Sequence, residues 1–472
     1  MKRSGRSIFI SSLSFWLAAC AIITTPPASV PSAAPAAWQA PLPGEASLAH
    51  AGTLSGLSDW WAQFQDPLLV ALIDAAQSVS PSVSAARTRI AQANAVRVAA
   101  GAALQPTLDG SVSATQRSAF PPTPGGRIYQ GALQSAWEID LFGANARARD
   151  AAQQRLDGAE AGWHQARVSV AAEVASQYLS LRACEKLLAM TQEDARSRAE
   201  TARLSGLLTD AGFQAPANAA LARASAAEGR SRARQQKAQC DSHIKALVML
   251  TGMAEPALRD TLTTAEPALP QSTALVIASL PAATLAQRPD VFAAAREVAA
   301  ASQDVGSTEA QRYARLSLSG SIGAARLQGN GVSVDLTTWS IGPLALSLPI
   351  YDAGKRAANM KAAHARYDEA AINYRATVRR AVREVEEALV TLESTAARRN
   401  DARIAVAGFF TAFDATHHRF KSGMTSVFEL EEARRSRLAA ETTLVALEHD
   451  RIAAWITLYR AAGGGWSPPG KK

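Results

Sequence analysis

The chain has 472 residues, of which 48% are hydrophobic and only 6% aromatic, and its formal net charge is +8. This length suits about two or three ordinary domains, and an alanine-rich, aromatic-poor composition favours long, closely packed helices. The basic residues are interleaved with Asp and Glu, so the charge predicts no nucleic-acid-binding surface. No phosphate loop, metal-ligand spacing or hydrolase elbow predicts an enzyme, a metal or a cofactor.

The amino terminus has the pattern of a lipoprotein signal. Three basic residues precede a short apolar run, and Leu17-Ala-Ala-Cys20 follows. The run is too short to span a bilayer, so residues 1–19 are predicted to be a signal peptide and Cys20 the acylated residue. The alternative is an ordinary signal peptide with an incidental cysteine. Ala21, rather than Asp, indicates no inner-membrane retention. Residues 20–58 are rich in Pro, Ala, Ser and Gly and predict a tether.

The ordered chain begins with a helical period and then changes to an alternating one. The stretch from Leu68 to Leu104 predicts a helix that Pro106 ends. The next stretch alternates Tyr129, Leu133, Trp137 and Ile139 with Gln130, Gln134 and Glu138. A later one alternates Leu316, Leu318, Ile322 and Ala324 with Arg315, Ser317, Ser319 and Ser321, and its return strand carries Val332, Val334 and Leu336, then Leu344, Leu346 and Leu348. These patterns predict two hairpins, each with a dry and a wet face, although a half-buried soluble sheet would look similar.

The second half of the chain repeats the first. A shift of 211 positions superimposes Gly143 on Gly354, Glu173 on Glu384, Leu181 on Leu392, Gly212 on Gly423, Leu247 on Leu458 and Gly252 on Gly463. Upstream the shift is 208, which places Pro81 on Pro289 and three additional residues in the second hairpin. Because solenoid repeats are only about 20–50 residues long, this predicts one large supersecondary unit, duplicated.

Each hairpin is followed by a very long helical pattern. About 70 residues separate Gly143 from Gly212, and a continuous helix of that length reaches about 100 Å. Val378, Val382, Val385, Leu389 and Leu392 form an a/d seam in the second copy, and Ala171, Val174, Tyr178 and Leu181 form one in the first. Helices of about 40 residues follow the turns at Gly212 and Gly423. We therefore divide the chain into a first repeat (59–252), a linker (253–282), a second repeat (283–463) and a tail (464–472).

Four strands per chain cannot form a closed transmembrane sheet alone, because lipid cannot satisfy the backbone groups of an open edge. Transmembrane barrels need at least about eight strands. Two chains would supply eight strands and three chains would supply twelve, so the strand count leaves both assemblies open.

Several motifs resemble the TolC-like outer-membrane efflux factors, in particular the NodT-type lipoproteins of resistance–nodulation–division pumps. They are the Leu-Ala-Ala-Cys20 lipobox, Gly342-Pro-Leu344 before Pro349-Ile-Tyr-Asp352-Ala-Gly354, Arg419-Phe420-Lys-Ser-Gly423, and Glu432-Ala-Arg-Arg-Ser436. The resemblance implies an α+β membrane protein: a homotrimer with a 12-stranded outer-membrane β-barrel and a coiled-coil α-helical barrel in the periplasm. It further implies a periplasmic adaptor, an inner-membrane pump and an anchor in outer-membrane lipid as partners. The alternative is a periplasm-spanning coiled-coil lipoprotein without a pore.

The resemblance also implies a periplasmic gate. It places two rings of acidic side chains around the tunnel axis at Glu429 and Glu432, and one ring of aromatic side chains at Phe420. Family members typically have Asp at the two acidic positions and often Tyr at the aromatic one. Rings of carboxylates attract cations and need compensating positive charge nearby. The candidates for this charge are Arg419, Lys421, Arg434 and Arg435. The competing interpretation is a solvated helix face with ordinary i, i+3 and i, i+4 pairs, made up of Glu429, Glu431, Glu432, Arg434, Arg435 and Arg437.

The helical turns and the cysteines complete the set of candidate residues. Gly212 and Gly423 are predicted to adopt positive φ at the turns, and the resemblance implies that these turns meet the adaptor. The two turn sequences differ, so the docking surfaces are predicted to be of two kinds. Cys184 and Cys240 lie in helical stretches, where buried, unpaired thiols are favoured over a periplasmic disulfide.

Overall fold

The structure, a computed structural model, describes residues 23–32, 34–35, 38–40, 60–118, 125–264, 285, 288–329, 332–464 and 466. The predicted signal peptide, Cys20 and nearly all of the tail lie outside these residues. The helices are α1 (Pro67–Val79), α2 (Pro81–Ala102), α3 (Ala144–Asp210), α4 (Pro216–Thr251), α5 (Glu255–Thr264), α6 (Pro289–Ala310), α7 (Lys355–Lys421) and α8 (Val427–Ala461). The strands are β1 (Thr107–Arg117), β2 (Gly126–Ile139), β3 (Arg315–Gly329) and β4 (Val332–Ser347).

The duplication is confirmed by the element lengths. The helix before each hairpin, α2 or α6, has 22 residues, and the long helix after it, α3 or α7, has 67. The returning helices α4 and α8 have 36 and 35 residues. Residues matched by the repeat are buried alike: Leu181, Leu392, Leu247 and Leu458 are each at most 1% exposed. Both copies therefore use the same positions for packing.

The single helix predicted from Leu68 to Leu104 is wrong, because the chain forms α1 and α2 with a break at Ser80. Pro81 has no N–H to continue the helix, and a residue before proline favours extended backbone, as Ser80 shows with ψ of 125°. The two helices bend by 49° at this break. Among the described residues no single helix is long and apolar enough to span a bilayer. Within these residues only the bent pair of α1 and α2, taken together, has the required length and apolar composition.

The four strands form one antiparallel sheet in the order β1-β2-β3-β4. Thr107 pairs with Ala136, whereas the matching Arg315 pairs with Ser347, so the second hairpin encloses three more residues than the first. This pairing confirms that the additional residues lie inside the hairpin.

The register gives the sheet two distinct faces, which we call the apolar face and the polar face. Tyr129, Leu133 and Trp137 share the apolar face with the strand-β3 residues that they oppose, as the alternation predicted. The return strand is only partly as predicted. A register shift between Leu318 and Gly320 moves Leu344 and Leu346 to the apolar face, whereas Val332, Val334 and Leu336 lie on the polar face. Leu348 follows the end of β4 and has no partner in the sheet.

The residues divide into two compact units, of which the first comprises the described parts of 1–31, 90–159 and 293–374. It contains the sheet and a core in which Val298, Ala301 and Val305 of α6 pack against Ala363, Tyr367 and Ala370 of α7. The predicted tether is packed here as well. Val30 contacts this core, Ser302 donates a hydrogen bond to the carbonyl oxygen of Pro26 (2.6 Å), and Tyr367 donates one to that of Pro27 (2.9 Å).

The second unit comprises the described parts of 32–89, 160–292 and 375–472. The predicted seam residues are buried in it, except Val382, which is half-buried. Trp60 stacks on Tyr459 with ring centroids 4.7 Å apart. The linker, where only irregular structure was predicted, contains α5. Residues 39 and 40 also belong to this unit, and both of their backbone N–H groups donate to Glu386 at 2.7 Å.

Candidate functional site at the helical hairpin turns

Each long helix ends in the same tight turn. Gly212 and Gly423 have φ of 79° and 72°, a conformation that a Cβ atom disfavours. The N–H of Phe213 donates to the carbonyl oxygen of Leu208, and that of Met424 to the carbonyl oxygen of Arg419, each five residues back. These bonds form the Schellman motif that ends helices at glycine. The positive φ predicted for both glycines is confirmed, whereas adaptor contact stays a prediction.

The two turns present different surfaces, although both are apolar and exposed. Phe213 of the first turn is 83% exposed, and Met424 and Phe428 of the second are 67% and 63% exposed. The second turn is capped by the Ser426 hydroxyl, which accepts a hydrogen bond from the Glu429 N–H (3.2 Å), whereas Ala215 of the first makes no side-chain cap. The difference read from the two turn sequences therefore exists on the folded surface.

The two predicted gate carboxylates lie at the start of α8 and are exposed. Glu429 accepts a hydrogen bond from the Thr425 hydroxyl, and its carboxylate is 3.7 Å from the Arg419 guanidinium. Glu432 pairs with Arg435 at 2.7 Å. The side chains of Glu429 and Glu432 remain 57% and 59% exposed, and Phe420 is half-buried. Within one chain each carboxylate thus has a local partner and remains accessible to water.

Arg434 does not have the surroundings predicted for it. It is only 3% exposed and pairs with Glu431, while its Nη2 donates to the hydroxyls of Ser197 (3.0 Å) and Thr201 (3.2 Å) on α3. Its partner is therefore Glu431 and not Glu429 or Glu432. The solvated-face interpretation is likewise wrong for Glu431, which is 6% exposed.

Glu431 and Arg434 belong to a buried ionic cluster that joins α3, α4 and α8. Arg198 donates from Nη1 to Glu431 (2.5 Å) and from Nε to Asp194 (2.8 Å), and the Ser225 hydroxyl donates to Glu431 (2.6 Å). Burial lowers the pKa of Arg434, and the carboxylates of Glu431 and Asp194 oppose that shift. Two guanidinium groups and two carboxylates thus neutralise one another, as buried charges require.

Cys184 and Cys240 form a disulfide, so the prediction of unpaired thiols is wrong. Their Cα atoms lie 5.5 Å apart on α3 and α4. The two helices are antiparallel arms of one hairpin, and each cysteine lies 28 positions from Gly212. Equal distances from a turn bring two residues to the same level, which is the sequence signal that could have predicted the bond.

His417, near the second turn, packs on an aromatic ring. It stacks on Phe413 with ring centroids 5.6 Å apart, and burial, followed by the charges of Lys421 and Arg434, lowers its pKa. Within the described ranges no three His, Cys, Asp or Glu side chains are grouped as metal ligands.

Comparison with known proteins shows the family of this chain. The sequence model of the family described as "Outer membrane efflux protein" matches residues 72–253 and 280–464. The chain belongs to this family. The solvent efflux pump outer membrane protein SrpC of Pseudomonas putida is 27% identical over 412 residues, covering 86% of this chain and 87% of the relative. Nodulation protein T of Rhizobium leguminosarum bv. viciae is 28% identical over 438 residues, covering 91% and 89%.

Solved structures agree with the family assignment. The outer-membrane channel OprN has a TM-score of 0.83 and 26% identity, covering 94% of this chain and 100% of that one. The CmeC outer membrane channel of Campylobacter jejuni has a TM-score of 0.81 over 95% and 96% of the two chains, and at 22% identity it supports the fold alone. The protein is thus an outer-membrane efflux channel component with the predicted α+β channel fold, and its role is transport.

Proposed function

We propose that three copies of this chain form the outer-membrane channel of a tripartite efflux pump, a passive tunnel for small molecules supplied from the periplasm. It works with a periplasmic adaptor and an inner-membrane resistance–nodulation–division pump. In this role the chain catalyses no reaction, since the pump supplies the energy and the channel supplies the path.

The four-stranded sheet carries this proposal. Its apolar face exposes large side chains to solvent in a single chain: Val112 (92%), Trp339 (74%), Ile341 (84%) and Leu346 (67%). In the described sheet β1 and β4 each have a single neighbour, so one edge of each lacks backbone partners. Lipid covers such a face but cannot satisfy such an edge. Twelve strands from three chains satisfy both requirements and leave the polar face around a lumen.

Acylation of Cys20 anchors the chain in the outer membrane in this proposal. Cys20 lies outside the described residues. Thr25 lies within them and packs closely on Gly306 of α6, because a Cβ atom added to this glycine would be 2.6 Å from the Thr25 methyl group. Because α6 leads directly into β3, the described residues 25–27, which follow the predicted acylation site, pack on the helix that enters the sheet.

The helical turns supply the gate and the docking surface. Phe213, Met424 and Phe428 offer exposed apolar contacts to the adaptor, and Glu429 and Glu432 form the acidic rings with Phe420 beside them. Rings of carboxylates favour cations. The variant E429A/E432A should therefore show weaker cation preference and higher conductance in a planar bilayer, and unchanged selectivity would remove both residues from the constriction.

A deletion strain tests the function in cells. Loss of the gene should raise sensitivity to toxic compounds and increase retention of a fluorescent efflux substrate, and the wild-type gene should restore both. The restored protein should migrate as a heat-sensitive trimer from outer-membrane extracts. Restoration by a protein that salt releases from the membrane would contradict the proposal and favour the structural coiled-coil lipoprotein.

A further inference from the structure

Near the hairpin loops the polarity of the two faces of the sheet is reversed. Over most of its length the apolar face carries large aliphatic and aromatic residues, and the polar face carries small or polar ones. One cross-strand row of the polar face consists of Ser111, Ala132, Gly323 and Thr338, and another consists of Asp109, Gln134, Ser321 and Ser340. Towards the loops this assignment reverses within two consecutive rows.

The first of these rows places polar side chains on the apolar face. Tyr129 opposes Arg326, which opposes Asp335, and all three lie on the apolar face. The Arg326 guanidinium forms two hydrogen bonds to the Asp335 carboxylate, at 2.6 and 2.7 Å, and the two side chains are 56% and 67% exposed. An exposed ion pair with an adjacent tyrosine is typical of the membrane–water interface, so lipid ends at this level.

The next row, one residue nearer the loops, places aliphatic side chains on the polar face. Ile128 opposes Leu327, which opposes Val334, and β1 contributes Thr115 at the same level. Leu336 lies on the same face, one row further from the loops, and is 44% exposed. The opposite face of the sheet is polar at this level. Burial in lipid therefore does not explain the aliphatic side chains of Ile128, Leu327 and Val334.

We propose that Ile128, Leu327 and Val334 form a hydrophobic collar around the outer mouth of the pore, selective for apolar and amphiphilic molecules. This inference rests on the proposed function, since three copies must close the sheet to face the residues towards one another. Three chains then place nine aliphatic side chains in one ring above a lumen of small and polar residues.

A hydrophobic ring acts on cargo and on ions in opposite ways. Water leaves a narrow apolar constriction readily, and ions that need their hydration shell then meet a barrier. An apolar or amphiphilic solute contacts the ring favourably and passes. The collar thus filters by polarity at the outer end of the tunnel, independently of the acidic rings at the helical turns.

Single-channel recording of the purified trimer in planar bilayers tests the collar. The variant Leu327→Ser is compared with Ala325→Ser, which lies on the same face of the same strand one row further from the loops. Both are made in the E429A/E432A background, so that the gate does not limit the current. We expect L327S to raise KCl conductance about twofold and A325S to leave it within about a tenth of the parent value.

A second variant avoids dependence on one substitution. Val334→Cys, on a trimer that otherwise behaves as the parent, should react with a charged methanethiosulfonate added from the loop side and change the conductance in discrete steps. Unchanged conductance in L327S, or modification of V334C without any change in current, would overturn the collar while leaving the channel intact. Absence of any channel from the wild-type trimer would overturn the proposed function and the collar together.

Discussion

Removal of the Glu431 carboxylate should loosen the ends of the helical hairpins. Glu431→Ala leaves Arg198 and Arg434, each 2–3% exposed, with Asp194 as the single remaining carboxylate of the cluster. Breaking a buried ion pair costs about 3–5 kcal/mol, because one charge stays buried without compensation. Since about 1.4 kcal/mol is a factor of ten, the lower limit predicts local opening that is about 100-fold more frequent.

Hydrogen exchange of peptides from α3 and α8 around the cluster measures this opening directly. The matched control is Glu432→Ala, which removes the next carboxylate on the same helix. The pair of Glu432 with Arg435 is 2.7 Å long but more than half exposed, so its loss should cost at most about 1 kcal/mol. Equal acceleration of exchange in both variants would refute the assignment of Glu431 to a stabilising buried cluster.

Three further predictions concern the second unit. Reduction of the disulfide, or C184S/C240S, should lower the free energy of unfolding by about 2–4 kcal/mol, since the bond closes a loop with a sequence separation of 56; a reductant that shifts the melting temperature of C184S/C240S as much as that of the wild type would contradict this. Burial, and to a smaller extent the charge of His449, lowers the pKa of His243 below 6.5, so the neutral ring contributes its full stability above pH 6.5 and loses it as the pH falls further. Between pH 7.5 and 5 the melting temperature should therefore fall less for H243Q than for the wild type. Identical falls in the two proteins would exclude His243 as the cause. Glu386→Ala should release the backbone at residues 39 and 40 and speed proteolysis there, whereas E387A, which removes an exposed carboxylate 3.5 Å from Arg383, should not; equal cleavage of both variants would show that Glu386 does not hold the segment.

Periodicity was sufficient to predict the elements whose length and repeat are strong. The 67-residue helices and the seam from Val378 to Leu392 follow from apolar spacing, because one face of each helix must be buried whatever its neighbour is. The turns follow from glycine, since few other residues accept positive φ. The position of the three additional residues follows from comparing the two copies.

Features that depend on a neighbouring element could not be predicted in the same way. Glu431 and Glu432 are adjacent and chemically identical, and only the packing of α3 and α4 against α8 decides that the first is buried. The register shift at Leu318, which reverses the facing of Leu344, depends on pairing between strands and leaves no mark on the alternation. The packing of residues 25–27 likewise depends on Ser302 and Tyr367, which are remote in sequence.

The conductance of the wild-type protein tests the central claim most directly. Trimer purified from outer membranes and added to a planar bilayer should insert as discrete channels with a preference for cations. A protein that purifies as a folded trimer, or as a monomer, and produces no current steps would contradict an efflux channel built from this chain.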